Sequence, residues 1–148
     1  ALVAKTSSGI RLLDGRAEIA KAIVRANKVA IAKPELAPYG KAAVEFLKAE
    51  GLWDLAKDKL VYADNIGAAT TYVASGAADL GFTAFSLAKS PELLKQTSYV
   101  AVDTKMYEPI KQRMVLIKGA PQDAKDLYRF MQGPKAKAIL QKYGYKTP

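Results

Sequence analysis

The 148 residues contain neither cysteine nor histidine. Disulfides, thiol nucleophiles, Cys/His zinc sites and the commonest general base are excluded together. The Asp and Glu residues form no cluster with metal-ligand spacing. No nucleophile, base and metal constellation can be assembled from the rest, so the chain reads as a protein that is not an enzyme. No cofactor is implied. No apolar run approaches the ~18 residues of a membrane-spanning helix. No signal peptide is visible in a chain that begins ALVAK without methionine, a start expected of a processed or truncated product. Internal repeats and low-complexity segments are also absent.

What is present is half hydrophobic and one quarter charged, the composition of a globular domain with a real core. The net charge of +9 is unevenly spread. Residues 111–148 hold nine Lys or Arg against Asp123 and Asp126, giving +7, whereas residues 1–110 hold fourteen against twelve, giving +2. A nucleic-acid surface interleaves basic residues with exposed aromatics or carries a recognisable reading motif, and the tail shows neither. A solvated basic face is preferred, and a nucleic-acid or membrane-surface module remains the rival.

Strands are expected at ALVAK, KVAIA (28–32), KLVYA (59–63), DLGFTAF (79–85) and SYVAV (98–102). Helices are expected over 17–26, 39–50, 66–75 and near 90–95. This alternation predicts an α/β layer with a mostly parallel sheet flanked by helices. From residue 107 the texture changes. RMVLIK (113–118) reads as a strand, followed by two helices with apolar faces at Ala124, Leu127, Tyr128 and Met131, then Ala136, Ile139, Leu140 and Tyr143. Trp53, Tyr72, Tyr99 and Tyr128 suit core packing.

Three strand-to-helix loops gather where open parallel sheets place their ligands: KPELAPYG after 28–32, ADNIG after 59–63 and FTAFS after 79–83. Pro34 and Pro38 prevent regular helix before about Tyr39, so the helix start is fixed. Its first N–H groups leave the APYG turn, as in an ordinary Pro-initiated helix or as an anion site. Asn65 as N-cap leaves the N–H of Ile66 or Gly67 facing outward, whether or not a ligand is there.

In order, AIAKPELAPYGKAAVEFLKAEGLWD, KLVYADNIGAATTYVASGAADLGFTAFS, YEPIKQRMVLIKG and GPKAKAILQKYGY resemble the periplasmic molybdate-binding proteins of bacterial ABC importers. The resemblance covers nearly the whole chain. It implies one lobe of a two-lobed binding protein, with 1–6 a hinge strand, 7–112 the second lobe, and 113–148 a returning hinge strand plus helices that pack on a first lobe with no counterpart here. It implies capture of molybdate or tungstate by neutral donors and delivery to a permease, in the periplasm or membrane-associated outside the cell. Another oxyanion or small solute is the alternative. The ligand groups implied are Tyr39 and Ile66 through main-chain N–H, with Gly40 and Asn65 beside them. Some members carry a tyrosine where this chain has Ala84, so Thr83, Ser86 and Tyr107 become candidates for the missing hydroxyl. A first lobe or a second chain would complete the cleft.

Overall fold

The computed structural model describes residues 1–147 and divides into two units, residues 1–110 and the segment from Lys111 onward. In the first unit five short strands form one sheet: β1 (Leu2–Lys5), β2 (Val29–Ala32), β3 (Leu60–Ala63), β4 (Leu80–Phe82) and β5 (Thr97–Val100), in the spatial order β3-β2-β4-β1-β5. The helices are α1 (Arg16–Arg25), α2 (Pro38–Ala49), α3 (Trp53–Ala56), α4 (Ile66–Ser75), α5 (Phe85–Ala88) and α6 (Pro91–Leu94).

Four of the five strands run in one direction, the mostly parallel arrangement that was expected, and β1 alone runs against them. β2 runs parallel to β3 and β4, but β1 runs antiparallel to both β4 and β5. A four-residue strand buried on both faces carries no sequence mark of its direction, and β1 enters between two strands that run the other way.

Period-2 alternation sorts the side chains into two cores. Leu2, Ala4, Val29, Ile31, Leu80 and Phe82 face Ile19, Ile23, Phe46 and Leu47 of α1 and α2. Val3, Ala30 and Ala63 face Ala69 and Val73 of α4. Helices cover both faces, which is why the strands read as unbroken apolar runs. Lys59 closes α1 by donating from Nζ to the carbonyls of Ile23, Val24 and Ala26 at 2.8–2.9 Å. Gly51, at φ +66°, ends α2 and turns the buried Leu52 back so that its N–H meets Leu47 O at 2.7 Å.

The second unit contains α7 (Gln122–Gln132) and α8 (Pro134–Lys142), with Pro134 in the first helical position. The strand expected at 113–118 does not form. Val115 and Ile117 are about four-fifths exposed, at 83% and 77%. A strand is defined by its ladder partner, and among the described residues this segment has none. DLGFTAF contributes only Leu80–Phe82, and its last residue opens α5 instead.

Candidate functional site: two helix starts at the ends of paired strands

β2 and β3 pair in register through Ala32 and Ala63, their last residues, and Lys33 N–H extends the ladder by one bond to Ala63 O at 2.8 Å. The chain therefore leaves both strands at the same level. From there α2 and α4, of twelve and ten residues, set off with their positive ends at this edge. Each is long enough to carry a full set of aligned peptide dipoles.

The start of α4 is built as expected. Asn65 has extended backbone and its Oδ1 accepts from Ala68 N–H at 2.9 Å. Ala69 N–H goes to Asn65 O. The N–H groups of Ile66 and Gly67 have no partner among the described residues and point out of the helix end. Lys33 and Asp64 close the strand ends with an exposed ion pair, Nζ to Oδ1 at 2.7 Å. The hydrogen bond and charge of Lys33 hold the Asp64 carboxyl below its usual range, and Asp64 raises Lys33 in return.

The start of α2 is pressed against β2. Gly40 is buried, and a Cβ on it would lie 2.0 Å from Ala32 O. Its N–H already donates to Ala37 O at 3.0 Å, so Gly40 contributes close approach; Tyr39, one residue earlier, is half-buried.

The third loop differs from the other two in the helix that follows it. α5 is four residues long, too short for an appreciable dipole, and its N-cap Ala84 is buried with only a methyl group to present. Thr83 is buried as well, and its hydroxyl is engaged with Thr70 Oγ1 at 2.5 Å, so it is not a replacement for a missing tyrosine. Ser86 lies in the first turn of α5, half-buried.

Tyr107 belongs to a strap over α2. Glu108 pairs with Lys41 Nζ at 2.9 Å, and its N–H reaches Glu45 Oε2 at 2.9 Å. Tyr107 packs half-buried against the α1/α2 core; burial first, and the Asp103 carboxylate second, raise its hydroxyl pKa, so it stays a neutral donor. No grouping of carboxylates among the described residues is fit to hold a metal ion, and no helix among them is long and apolar enough to cross a membrane.

Two features escaped the sequence reading. The Lys33–Asp64 and Thr70–Thr83 pairs each join residues from different loops or elements. For Thr70 a signal existed: with Ala69 and Val73 it lies on the buried stripe of α4, where a hydroxyl demands a partner.

The family profile for bacterial extracellular solute-binding proteins matches residues 2–146. The chain belongs to that family. Its members are binding proteins and not enzymes. This solute-binding chain is 40% identical over 121 residues to the molybdate-binding protein ModA of Rhodobacter capsulatus, a match covering 80% of the chain and 47% of that protein. Among solved structures it is similar to the periplasmic molybdate-binding protein of Azotobacter vinelandii, with a TM-score of 0.77 and 33% identity over 99% of the chain and 64% of that structure. It is also similar to the substrate-binding domain of a putative molybdenum ABC transporter from Clostridium difficile, with a TM-score of 0.73 and 28% identity over 99% and 62%. The chain spans about half the length of the curated relatives it matches.

Proposed function

We propose that this solute-binding protein captures a molybdate-type oxyanion, molybdate or tungstate, outside the cytoplasm and delivers it to an ABC transporter permease. The observation that carries the reading is the meeting of two helix starts at the register-matched ends of β2 and β3, one of them with unpartnered N–H groups at Ile66 and Gly67. An anion there exchanges water for fixed neutral donors, each charge-assisted bond contributing about 1.5–3 kcal/mol. On this reading Tyr39, Ile66 and Gly67 bind through main-chain N–H, Asn65 holds the α4 start open, and the neutral Tyr107 hydroxyl is the side-chain donor.

Selectivity follows from size. Donors spaced for the longer Mo–O bonds leave sulfate with stretched or missing contacts, and unmade buried hydrogen bonds are costly. Residues 7–112 would form one wall of the cleft, and 1–6 and 113–118 would connect it to the opposite wall. That wall is supplied by the part of a whole binding protein not represented in these residues, or by a second chain.

The test is isothermal titration of the full-length protein with molybdate, tungstate, sulfate and phosphate at matched ionic strength. Binding of the first two, with little response to sulfate, is expected. Preference for another anion would reassign the ligand, and no response to any of the four would overturn the reading. Strongly salt-dependent binding to DNA or anionic vesicles would favour the basic-surface alternative.

A further inference from the structure

We propose that Thr70 and Thr83 are positioning residues for the anion site, forming a buried hydroxyl relay that aims the Gly67 N–H. The inference rests on the oxyanion reading above and extends it to two residues that do not touch the ligand.

Hydrogen-bond bookkeeping fixes the direction of the relay. Thr70 Oγ1 lies 2.7 Å from Ile66 O, a carbonyl that can only accept, so the Thr70 proton is spent there. Thr70 Oγ1 and Thr83 Oγ1 are 2.5 Å apart, and only Thr83 has a proton left to give. The order is therefore Thr83 to Thr70 to the Ile66 carbonyl. That carbonyl and the Gly67 N–H belong to one planar trans peptide and point in opposite directions. Holding the oxygen inward holds the N–H outward, at the end of α4 where it has no partner among the described residues. A carbonyl that accepts an extra bond also polarises its own peptide, which makes the N–H a stronger donor.

The relay is anchored in the sheet. Thr83 N–H donates to Ala1 O at 2.9 Å, continuing the ladder between β4 and β1 by one residue. Thus the third loop, which offers no helix dipole and no tyrosine, acts on the site from behind. Threonine is an expensive choice for this role. It is a poor helix former, and back-bonding to the i−4 carbonyl slightly destabilises a helix. Both residues are buried, at 9% and 4% exposure, where valine would fill the same volume with no polar group to satisfy. Thr71 Oγ1 repeats the relation one peptide further on, donating to Gly67 O at 3.0 Å on the exposed side.

The experiment compares Thr70→Val, Thr83→Val and Thr70→Ser in the full-length protein, with Val73→Ala as a control that removes core packing from the same helix and leaves the hydroxyls in place. Molybdate affinity is measured by titration and the Gly67 amide resonance by ¹⁵N NMR without ligand. Thr70→Val is expected to weaken molybdate about tenfold and Thr83→Val about threefold, while Thr70→Ser stays within twofold of wild type. Val73→Ala is expected to lower the melting temperature with unchanged affinity. The Gly67 amide is expected to shift in Thr70→Val and not in Val73→Ala. Molybdate binding by Thr70→Val within twofold of wild type, with an unmoved Gly67 resonance, would overturn the relay. So would losses of affinity that merely track melting temperature across all four variants. If Thr70→Val does not fold, Thr83→Val and Thr70→Ser decide by the same readouts. A wild-type protein that binds none of the anions refutes the oxyanion reading, and with it this assignment; a wild type that binds with an indifferent Thr70→Val refutes the relay alone.

Discussion

Gly40→Ala sets two effects of known size against each other. In a helix, alanine is ordinarily better than glycine by about 0.5–1 kcal/mol, so on propensity alone the variant should be more stable. Against this stands the contact: the new Cβ would lie 2.0 Å from Ala32 O and 2.7 Å from Ala32 C. Carbon cannot approach backbone oxygen that closely, so α2 and β2 must part by roughly 1 Å, and neither can yield by turning a side chain. Overpacking of this kind costs about 1–3 kcal/mol, and a backbone-on-backbone clash belongs at the upper end. The net expectation is a loss of about 1–2.5 kcal/mol, or roughly 4–12 °C in melting temperature for a unit of this size. Gly67→Ala is the comparison. Its Cβ would meet only the Asn65 Oδ1, at 3.2 Å, and the loss should be smaller. Thermal and urea unfolding followed by circular dichroism measures both. Anion affinity should fall in Gly40→Ala as well, because α2 carries Tyr39 away from the strand ends. A melting temperature equal to or above wild type would refute the contact argument.

Asn65→Ala removes the cap on Ala68 N–H and should cost about 1 kcal/mol, seen as a lower urea midpoint, whereas Asn65→Asp should keep the cap but weaken anion binding by placing a charge beside it. Lys59→Met deletes three bonds to carbonyls at the C-terminal end of α1 and its C-cap Ala26, and should destabilise by about 1–2 kcal/mol in the same assay. The Asp64 carboxyl is held below its usual range by Lys33, so its contribution is present above the unfolded value and is lost as pH falls through the lowered folded one. Asp64→Asn should therefore flatten the acid limb of the stability profile, and 1 M salt should largely erase the difference, since both partners are exposed.

Much of this was legible because the decisive signals are local. The stripe Ala43, Phe46 and Leu47, stopped by Gly51, locates α2 without any knowledge of its neighbours, and Asn65 before an apolar run locates α4. α3 and α5 span one turn each, too short to show a period. RMVLIK has the side chains of a strand and forms none among the described residues, because periodicity reports which side chains suit a strand and not whether a backbone partner exists. The reversed direction of β1 was hidden for the same reason. At the site, the helix starts could be read from Pro38 and Asn65. The 2.0 Å approach behind Gly40 could not, nor could the Lys33–Asp64 and Thr70–Thr83 pairs, which join residues 31 and 13 positions apart.

The place of β1 between β4 and β5 also governs how the sheet comes into being on the ribosome. Leu2, Val3 and Ala4, all at 0% exposure in the finished sheet, pair with residues 80–82 on one side and 98–100 on the other. At synthesis rates of about 5–20 residues per second, this apolar strand waits roughly 4–16 s for its first partner to be made. During that interval its backbone is unpaired and its side chains are wet, the condition that favours wrong partners over right ones. A chaperone that shields β1 until β4 has been made should therefore raise the soluble yield.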